Sequence, residues 1–431
     1  MLDINFVREN QKMVEDAVKN KGCKVDVAEV LGLYDSKCEL GRKVDELRQS
    51  RNEIARKMKN GKPDQELIDQ GRMLKVETAK YEGELAGIER DYIAKLKLIP
   101  NVPYADVPVG FSEDENVVAE LCGEPTRFDF ETKNHFEIGV ARGWIDKERA
   151  AKVAGARFAY IKGEMVKLQM AIVNFVIDSL TIEGVMSEIC EKNGLKISTK
   201  PFVPVLPPLM IRTELYDDMD RLEPREDRYK IEGDELWLQG SAEHVLGSMY
   251  AGEVFEEKDL PIRYLGYATS FRQEAGTYGK DMEGIVRMHQ FDKLEMESFG
   301  LGENSYDEHL LFVGIQRWLV EKLELPYRVI QKCTYDIGKP NARGIDIEVW
   351  LPGQGKYRET HTADYMTDYQ ARRLNTRVRR EEGMEFVHTN DATAFALGRI
   401  MIAIIENYQN EDMSVRVPEV LKKYLNGRES I

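Results

Sequence analysis

The sequence predicts an α+β protein in two unlike parts: an N-terminal antiparallel coiled-coil arm with its linker, residues 1–110, and a larger mixed body, residues 111–431. Three observations carry that prediction. Residues 33 to 58 and 67 to 92 each place apolar side chains on alternating three- and four-residue steps, the seam period of a coiled coil. IPNVPYADVPVG (99–110) is too rich in proline to continue a helix and closes the arm. Beyond it, residues 264–297 alternate with period two on both sides of a glycine-bearing span, as two strands joined by a loop would.

With 431 residues the chain exceeds one ordinary core and suits two or three domains. A hydrophobic fraction of 42% beside 32% charged residues describes a soluble globular protein, and no segment approaches the ~20 apolar residues of a membrane span. MLDINFVREN lacks the basic and apolar regions of a signal peptide, so a cytoplasmic location without membrane association is expected. Cys23, Cys38, Cys122, Cys190 and Cys333 are dispersed, odd in number and without a CxxC pair, which predicts reduced thiols rather than disulfides or a zinc site. A formal charge of −15 argues against a general nucleic-acid binder and still allows one basic surface.

In the arm, Leu33, Leu40, Val44, Leu47, Ile54 and Met58 form the first seam, with Lys37 and Arg51 at the remaining core positions. After NGKPDQE the seam returns at Leu67, Leu74, Tyr81, Leu85, Ile88 and Tyr92, with Gly71 and Thr78 as its weak positions. A Gly/Pro turn between such runs predicts a helical hairpin whose narrow apolar stripe packs against little else, so the arm should stand out from the body. Its charge is lopsided. From Leu33 to Lys62 there are nine Lys or Arg against five acids, whereas the returning helix is acidic. Such hairpins are most often dimerisation or spacer elements; the basic stripe, in turn, is the electrostatic footprint of a phosphate backbone.

In the central hairpin, Ser270, Arg272 and Glu274 share a face of the first strand. On the second, Arg287, His289, Phe291, Lys293, Glu295 and Glu297 share one face, with Val286, Met288, Leu294 and Met296 opposite beside Gln290 and Asp292. Two arginines, an aromatic ring and several carboxylates do not make a core face, because burying unpaired charge costs several kcal/mol. Arginine forks match phosphate oxygens, a Phe ring offers a stacking plane for a base, and a fixed carboxylate can hold an ammonium group. A nucleoside triphosphate beside an amino acid therefore fits the face. An exposed hairpin laced by cross-strand salt bridges fits the same spacing.

FRQEAGTYGKDMEGIVRMHQFDKLEM (271–296) resembles motif 2 of class II aminoacyl-tRNA synthetases, and HQFDKLEM is similar to the seryl enzymes of that class. The resemblance extends along the chain, through the Pro-rich linker and RGWIDKERAAKVAGARFAYIKGE to ENYQ and VPEVLKKY. FVPVLPPLM (202–210) resembles motif 1, a strand ending in a proline and two apolar residues, here Pro208, Leu209 and Met210. With the apolar helical stretch KLQMAIVNFVIDSLTIEG (167–184) it implies a homodimer interface; the residues alone favour core packing. LWLQGSAEHVLG (236–247) is similar to the family's TAE segment, with Ser241 in place of Thr, which implies that Ser241 and Glu243 border the amino-acid pocket.

DIEVWLPGQGKYRE (346–359) reads as a strand, a Gly/Pro turn and a second strand ended by Glu359. Glu359 and Thr362 fall on the family's metal-binding Glu and Ser, oxygens that suit Mg²⁺. From Ala394 to Ile405 the chain reads as a buried helix enclosing one guanidinium, Arg399, which needs an anion or a stacking partner. A structural salt bridge would satisfy it; the resemblance makes the segment motif 3, with Arg399 against adenine and phosphates. Thr393 falls where the family recognises the substrate hydroxyl, and Asp391 replaces its usual Asn.

The resemblance as a whole implies a class II catalytic domain over residues 111–431, an antiparallel sheet flanked by helices that binds ATP and Mg²⁺. It places Arg272 on the α-phosphate, Arg287 on the γ-phosphate, Glu274 at the adenine edge, and Phe291 and Arg399 about the ring, with Arg272 and Arg399 the catalytic pair. Serine would lie among Ser241, Glu243, Arg272, Glu295, Asp391 and Thr393, its ammonium on Glu295. The implied product is seryl-adenylate, then seryl-tRNA(Ser), with tRNA(Sec) a second candidate acceptor. The implied grip on tRNA is the basic side of the arm: Arg42, Lys43, Arg48, Arg51, Arg56 and Lys57. Two rivals stand beside this reading. A paralogue charging a carrier protein is disfavoured by the basic arm and kept in view by Asp391. A catalytically silent scaffold is disfavoured by the full set of site residues.

Overall fold

The computed structural model describes residues 1–59, 65–275 and 284–431. The turn expected between the arm helices, its Lys62, and residues 276–283 of the glycine-bearing span lie outside the described residues. The chain forms two compact units, Met1–Val102 and Pro103–Ile431, and the division falls inside the Pro-rich stretch.

In the first unit, short helices Ile4–Glu9 and Gln11–Asn20 precede two long ones, Val27–Lys59 (α1) and Gln65–Leu96 (α2). Asp26 starts α1 by accepting from the Ala28 N–H at 2.9 Å, which satisfies one of the orphan donors of a first turn. Ion pairs show α1 and α2 running in opposite directions: Glu29 with Lys95 at 2.8 Å, Lys37 with Glu89 at 3.9 Å, and Arg48 with Glu82 at 2.8 Å. The seam works at its weak positions as well. Thr78 is fully buried and returns its hydroxyl to Leu74 O at 2.6 Å. Gly71 is where the helices meet closely, since a Cβ there would lie 3.1 Å from Met58 Cε.

In the second unit the main sheet has eight strands among the described residues: β1 Val117–Cys122, β2 Val203–Val205, β3 Ile262–Phe271, β4 Gln290–Gly300, β5 Tyr327–Gln331, β6 Arg343–Leu351, β7 Lys356–Thr367 and β8 His388–Ala396. Their spatial order is β1-β5-β6-β7-β8-β4-β3-β2. Every neighbouring pair is antiparallel except β2 with β3. Helices Glu164–Leu180 (α3), Ser305–Lys322 (α4) and Leu397–Asn407 (α5) supply Phe175, Phe312, Leu319 and Ile404 to a core shared with Leu294, Met296, Ile347 and Val349. Each such side chain, fully buried, contributes roughly 1.5–3 kcal/mol. All five cysteines are free thiols, and among the described residues no single helix is long and apolar enough to cross a membrane.

Four local expectations are corrected. The central strands stop at Phe271 and start at Gln290, so Arg272, Glu274, Arg287 and His289 lie on irregular chain beyond them. Glu274 has φ +50°, a left-handed conformation that no strand accommodates. The strand containing Glu359 runs on to Thr367 rather than ending there. Ala394 to Ala396 complete β8, and the helix begins only at Leu397, because an apolar run by itself does not distinguish strand from helix. The motif-1-like stretch is two strands, β2 and Met210–Arg212, the latter pairing with Leu236–Leu238. Pro207 and Pro208 between them have no N–H to offer a ladder.

Candidate active site

Two bulges aim the site. On an uninterrupted strand, residues three apart face opposite ways. The β6/β7 register slips between Ile347, opposite His361, and Glu348, opposite Glu359, leaving Thr360 as an extra residue. Glu359 and Thr362 consequently line the same cavity. Ala394 is the extra residue where β8 slips against β4, and Thr393 and Ala396 likewise share the cavity wall.

That cavity also receives Glu243, Arg272, Glu274, Arg287, Phe291 and Arg399. Just past the β3/β4 ladder, Arg272 N donates to His289 O at 3.0 Å, which holds the arginine at the cavity mouth. Arg272 Nε donates to Gly240 O at 2.9 Å, and its guanidinium stands 5.5 Å from the centre of the Phe291 ring, a cation–π arrangement. Arg287 Nη1 lies 3.2 Å from Glu274 Oε2. Arg399 keeps 30% of its side chain exposed at the cavity instead of being enclosed, with Nη1 3.1 Å from Glu359 Oε2 and donating to Glu359 O at 2.9 Å. Although burial opposes the charge of Glu359, Arg399 and Lys332 hold its carboxyl down to about 2. Both groups therefore carry charge throughout the neutral range.

At the other end of the cavity, the Ser241 hydroxyl accepts from Lys293 Nζ at 3.0 Å and lies 3.3 Å from Glu295 Oε2 and 3.4 Å from Glu243 Oε2. Lys293 Nζ approaches Glu295 Oε2 to 2.6 Å, and Thr393 Oγ1 donates to Glu295 Oε1 at 3.4 Å. Ser241, Glu295 and Asp391 do not line the cavity themselves; they lie directly beneath residues that do. The charged face of β4 is thus covered, with Glu295 and Glu297 fully buried, contrary to the expectation that it could not be a core face. Helix Glu243–Gly247 helps cover it: a Cβ on Gly247 would lie 3.5 Å from Glu297 Oε1. Burial pushes the Glu295 carboxyl up to about 7 against the opposing pull of Lys293.

Arg221, Lys332 and Asp364 also line the site and went unassigned from sequence, and Lys293 carried no stated role. Arg221 sits in MDRLEPRED, whose local pattern is that of an ordinary polar loop. Lys293, by contrast, shares a strand face with Glu295, and that alternation could have disclosed it.

A largely antiparallel sheet with helices against it, holding arginines, a ring and carboxylates around one cavity, is the fold and site of a class II aminoacyl-tRNA synthetase. Residues 227–408 match the tRNA synthetase class II core domain (G, H, P, S and T), and residues 1–103 match the seryl-tRNA synthetase N-terminal domain. The chain is 40% identical to the serine–tRNA ligase of Thermodesulfovibrio yellowstonii over 99% of each chain, and 40% identical to that of Methanocella arvoryzae over 100% of each. It belongs to the seryl-tRNA synthetase family, the serine–tRNA ligases. Its structure is similar to seryl-tRNA synthetase from Pyrococcus horikoshii complexed with ATP, with TM-score 0.88, 35% identity and coverage of 100% of this chain and 99% of that one. It is also similar to the cytoplasmic serine–tRNA ligase of Naegleria fowleri in complex with AMP, with TM-score 0.85, 27% identity and coverage of 100% and 98%.

Proposed function

We propose that this cavity binds ATP and L-serine side by side, joins them as seryl-adenylate, and delivers the seryl group to the 3′ end of tRNA(Ser). The supporting observation is that groups for phosphate, base and amino acid, drawn from β4, β7, β8, α5 and the irregular chain next to β3 and β4, converge on one cavity. Arg272 takes the α-phosphate, Arg287 the γ-phosphate, and Phe291 with Arg399 the adenine, whose edge meets Glu274. Thr362 lines the same cavity as the ionised Glu359, a hydroxyl beside a carboxylate. Two such oxygens fit Mg²⁺. When bound, the ion neutralises phosphate charge. The serine carboxylate is already a nucleophile, so catalysis consists of positioning and charge stabilisation, and no side chain need act as base. The tRNA hydroxyl then attacks the adenylate carbonyl.

Glu295, just beneath the cavity and in contact with Lys293 and Thr393 of its lining, is the carboxylate for the serine ammonium, and must be ionised to serve. A carboxyl raised to about 7 is neutral below that pH, so KM for serine should climb as pH falls from 8 to 6 while KM for ATP stays level. A serine KM that does not change with pH would assign the ammonium to another group.

On the arm, Arg48 is bound to Glu82 through Nε at 2.9 Å and Nη2 at 2.8 Å, so its first task is to join the helices. Arg42, Lys43, Arg51, Arg56 and Lys57 are exposed and form no ion pair among the described residues. These groups take the phosphates of tRNA. Replacing Arg42, Lys43 and Arg51 together by Ala should raise KM for tRNA roughly tenfold or more and flatten its salt dependence by about one unit of slope for each phosphate no longer neutralised. An unchanged salt slope would make the arm a spacer.

Activity as a homodimer in the cytoplasm completes the reading. The exposed apolar residues Val166 and Met170 of α3 and Leu206, Leu209 and Met210 around the motif-1 stretch supply a surface for the dimer, which light scattering in solution would test. The function itself is tested by pyrophosphate exchange with serine, threonine, alanine and glycine, followed by aminoacylation of tRNA(Ser) and tRNA(Sec). Exchange without charging of tRNA would move the protein to carrier-protein ligases, and no exchange would make it a scaffold.

A further inference from the structure

Arg221 follows the short helix Thr213–Asp218, and its side chain keeps 15% of its surface, on the cavity. Three carboxylates hold it. Nε lies 3.3 Å from Glu243 Oε1, and Nη2 lies 3.3 Å from Asp391 Oδ2 and 3.7 Å from Asp364 Oδ2. Nη2 also donates to Asn341 Oδ1 at 3.3 Å. Two of these acids come from the sheet. Asp364 on β7 stands directly opposite Asp391 on β8, and Asp391 stands opposite Glu297 on β4. Like charges facing across strands repel, so a row of this kind needs a cation within it. Among the described residues Arg221 is the cation that reaches both aspartates. Asp391 itself does not line the cavity.

We propose that Arg221 reads the side-chain hydroxyl of the bound amino acid, and that Asp391 is a positioning residue that acts through Arg221. A guanidinium only donates, so it offers N–H to the hydroxyl oxygen. Glu243 and Thr393, which also line the cavity, remain to accept the hydroxyl proton. An alanine methyl in that place leaves the guanidinium donor unpaired, which a buried site penalises. The aspartate is thereby the anchor of a cation that does the reading. This inference rests on the placement of serine proposed above.

Pyrophosphate exchange by the full chain, with serine and with alanine, tests it in Arg221→Gln, Arg221→Lys, Asp391→Asn and the Arg221→Gln/Asp391→Asn double variant, with Thr393→Ala as reference. Arg221→Gln is expected to raise KM for serine roughly tenfold or more and to erode the preference for serine over alanine by a similar factor. KM for ATP should not move. Arg221→Lys, which keeps the charge and loses the fork, should fall between. Asp391→Asn should erode the preference less, and should add nothing once Arg221 is Gln, as expected of residues that act through one another. Equal losses with serine and alanine in both Arg221 variants would overturn the proposal, as would an Asp391→Asn effect that adds in full. If Arg221→Gln does not fold, the comparison in Arg221→Lys decides. Unchanged serine KM in Thr393→Ala would instead show that the amino acid lies elsewhere in the cavity, which separates failure of the placement from failure of this inference.

Discussion

Replacing Arg272 by Ala is expected to lower serine-dependent pyrophosphate exchange by roughly 10²–10³-fold, the usual effect of removing a preorganised donor aimed at developing charge. The reason is geometric. Arg272 is fixed before substrate arrives, by the Gly240 carbonyl at 2.9 Å, by the Phe291 ring at 5.5 Å, and by its backbone bond to His289 at 3.0 Å. A long flexible side chain that is already ordered loses little entropy on binding, so its interaction is delivered mainly in the transition state. Arg272→Lys should recover little, because a compact ammonium can neither span two phosphate oxygens nor keep the same bond to Gly240 while lying over the ring. Single-turnover formation of adenylate at saturating ATP is the measurement, since it separates the chemical step from binding. A loss below about tenfold would mean that other groups carry the α-phosphate charge.

Replacing Glu308 by Leu is expected to destabilise the second unit by about 3–5 kcal/mol, the range for leaving one charge of a buried pair uncompensated. Arg263 is 1% exposed and Glu308 2%. Arg263 Nε donates to both carboxylate oxygens of Glu308, at 2.8 and 3.1 Å, and its Nη2 reaches Ser198 O at 2.8 Å. The pair binds β3 to α4 and to the chain that leads into β2. Changing both partners, as Arg263→Met with Glu308→Leu, should be milder than the single change, because no charge is then stranded. Denaturant titration of the two variants checks the order; a double variant as unstable as the single one would place the contribution in packing rather than in charge.

The arm was legible because its information is local. Apolar steps of three and four residues mark a helix seam whatever the rest of the chain does, and the charge of α1 is a property of that helix alone. Even there, the assignment of Arg48 to Glu82 depended on the register of the second helix. In the catalytic unit, nine of the twelve candidate residues share one cavity, and Ser241, Glu295 and Asp391 lie under it. Their chemistry could be read from residue types and resemblance, because guanidinium, ring and carboxylate suit the same ligands in any fold that gathers them.

What the chain by itself determined, then, was the inventory and the short-range periods: two helical runs, strands around a glycine-bearing span, and the groups fit for ATP and an amino acid. The tertiary structure decided where those groups point and what surrounds them. A slip at Thr360 turns Glu359 and Thr362 to one wall, and the slip at Ala394 does the same for Thr393 and Ala396. The covering of Glu295 and Glu297, and the joining of Arg221 to Asp364 and Asp391, bring together residues far apart in the chain. Periodicity is set by neighbours along the backbone, whereas bulges, burial and charge pairing are set by the partner strand across the ladder, which no local pattern specifies.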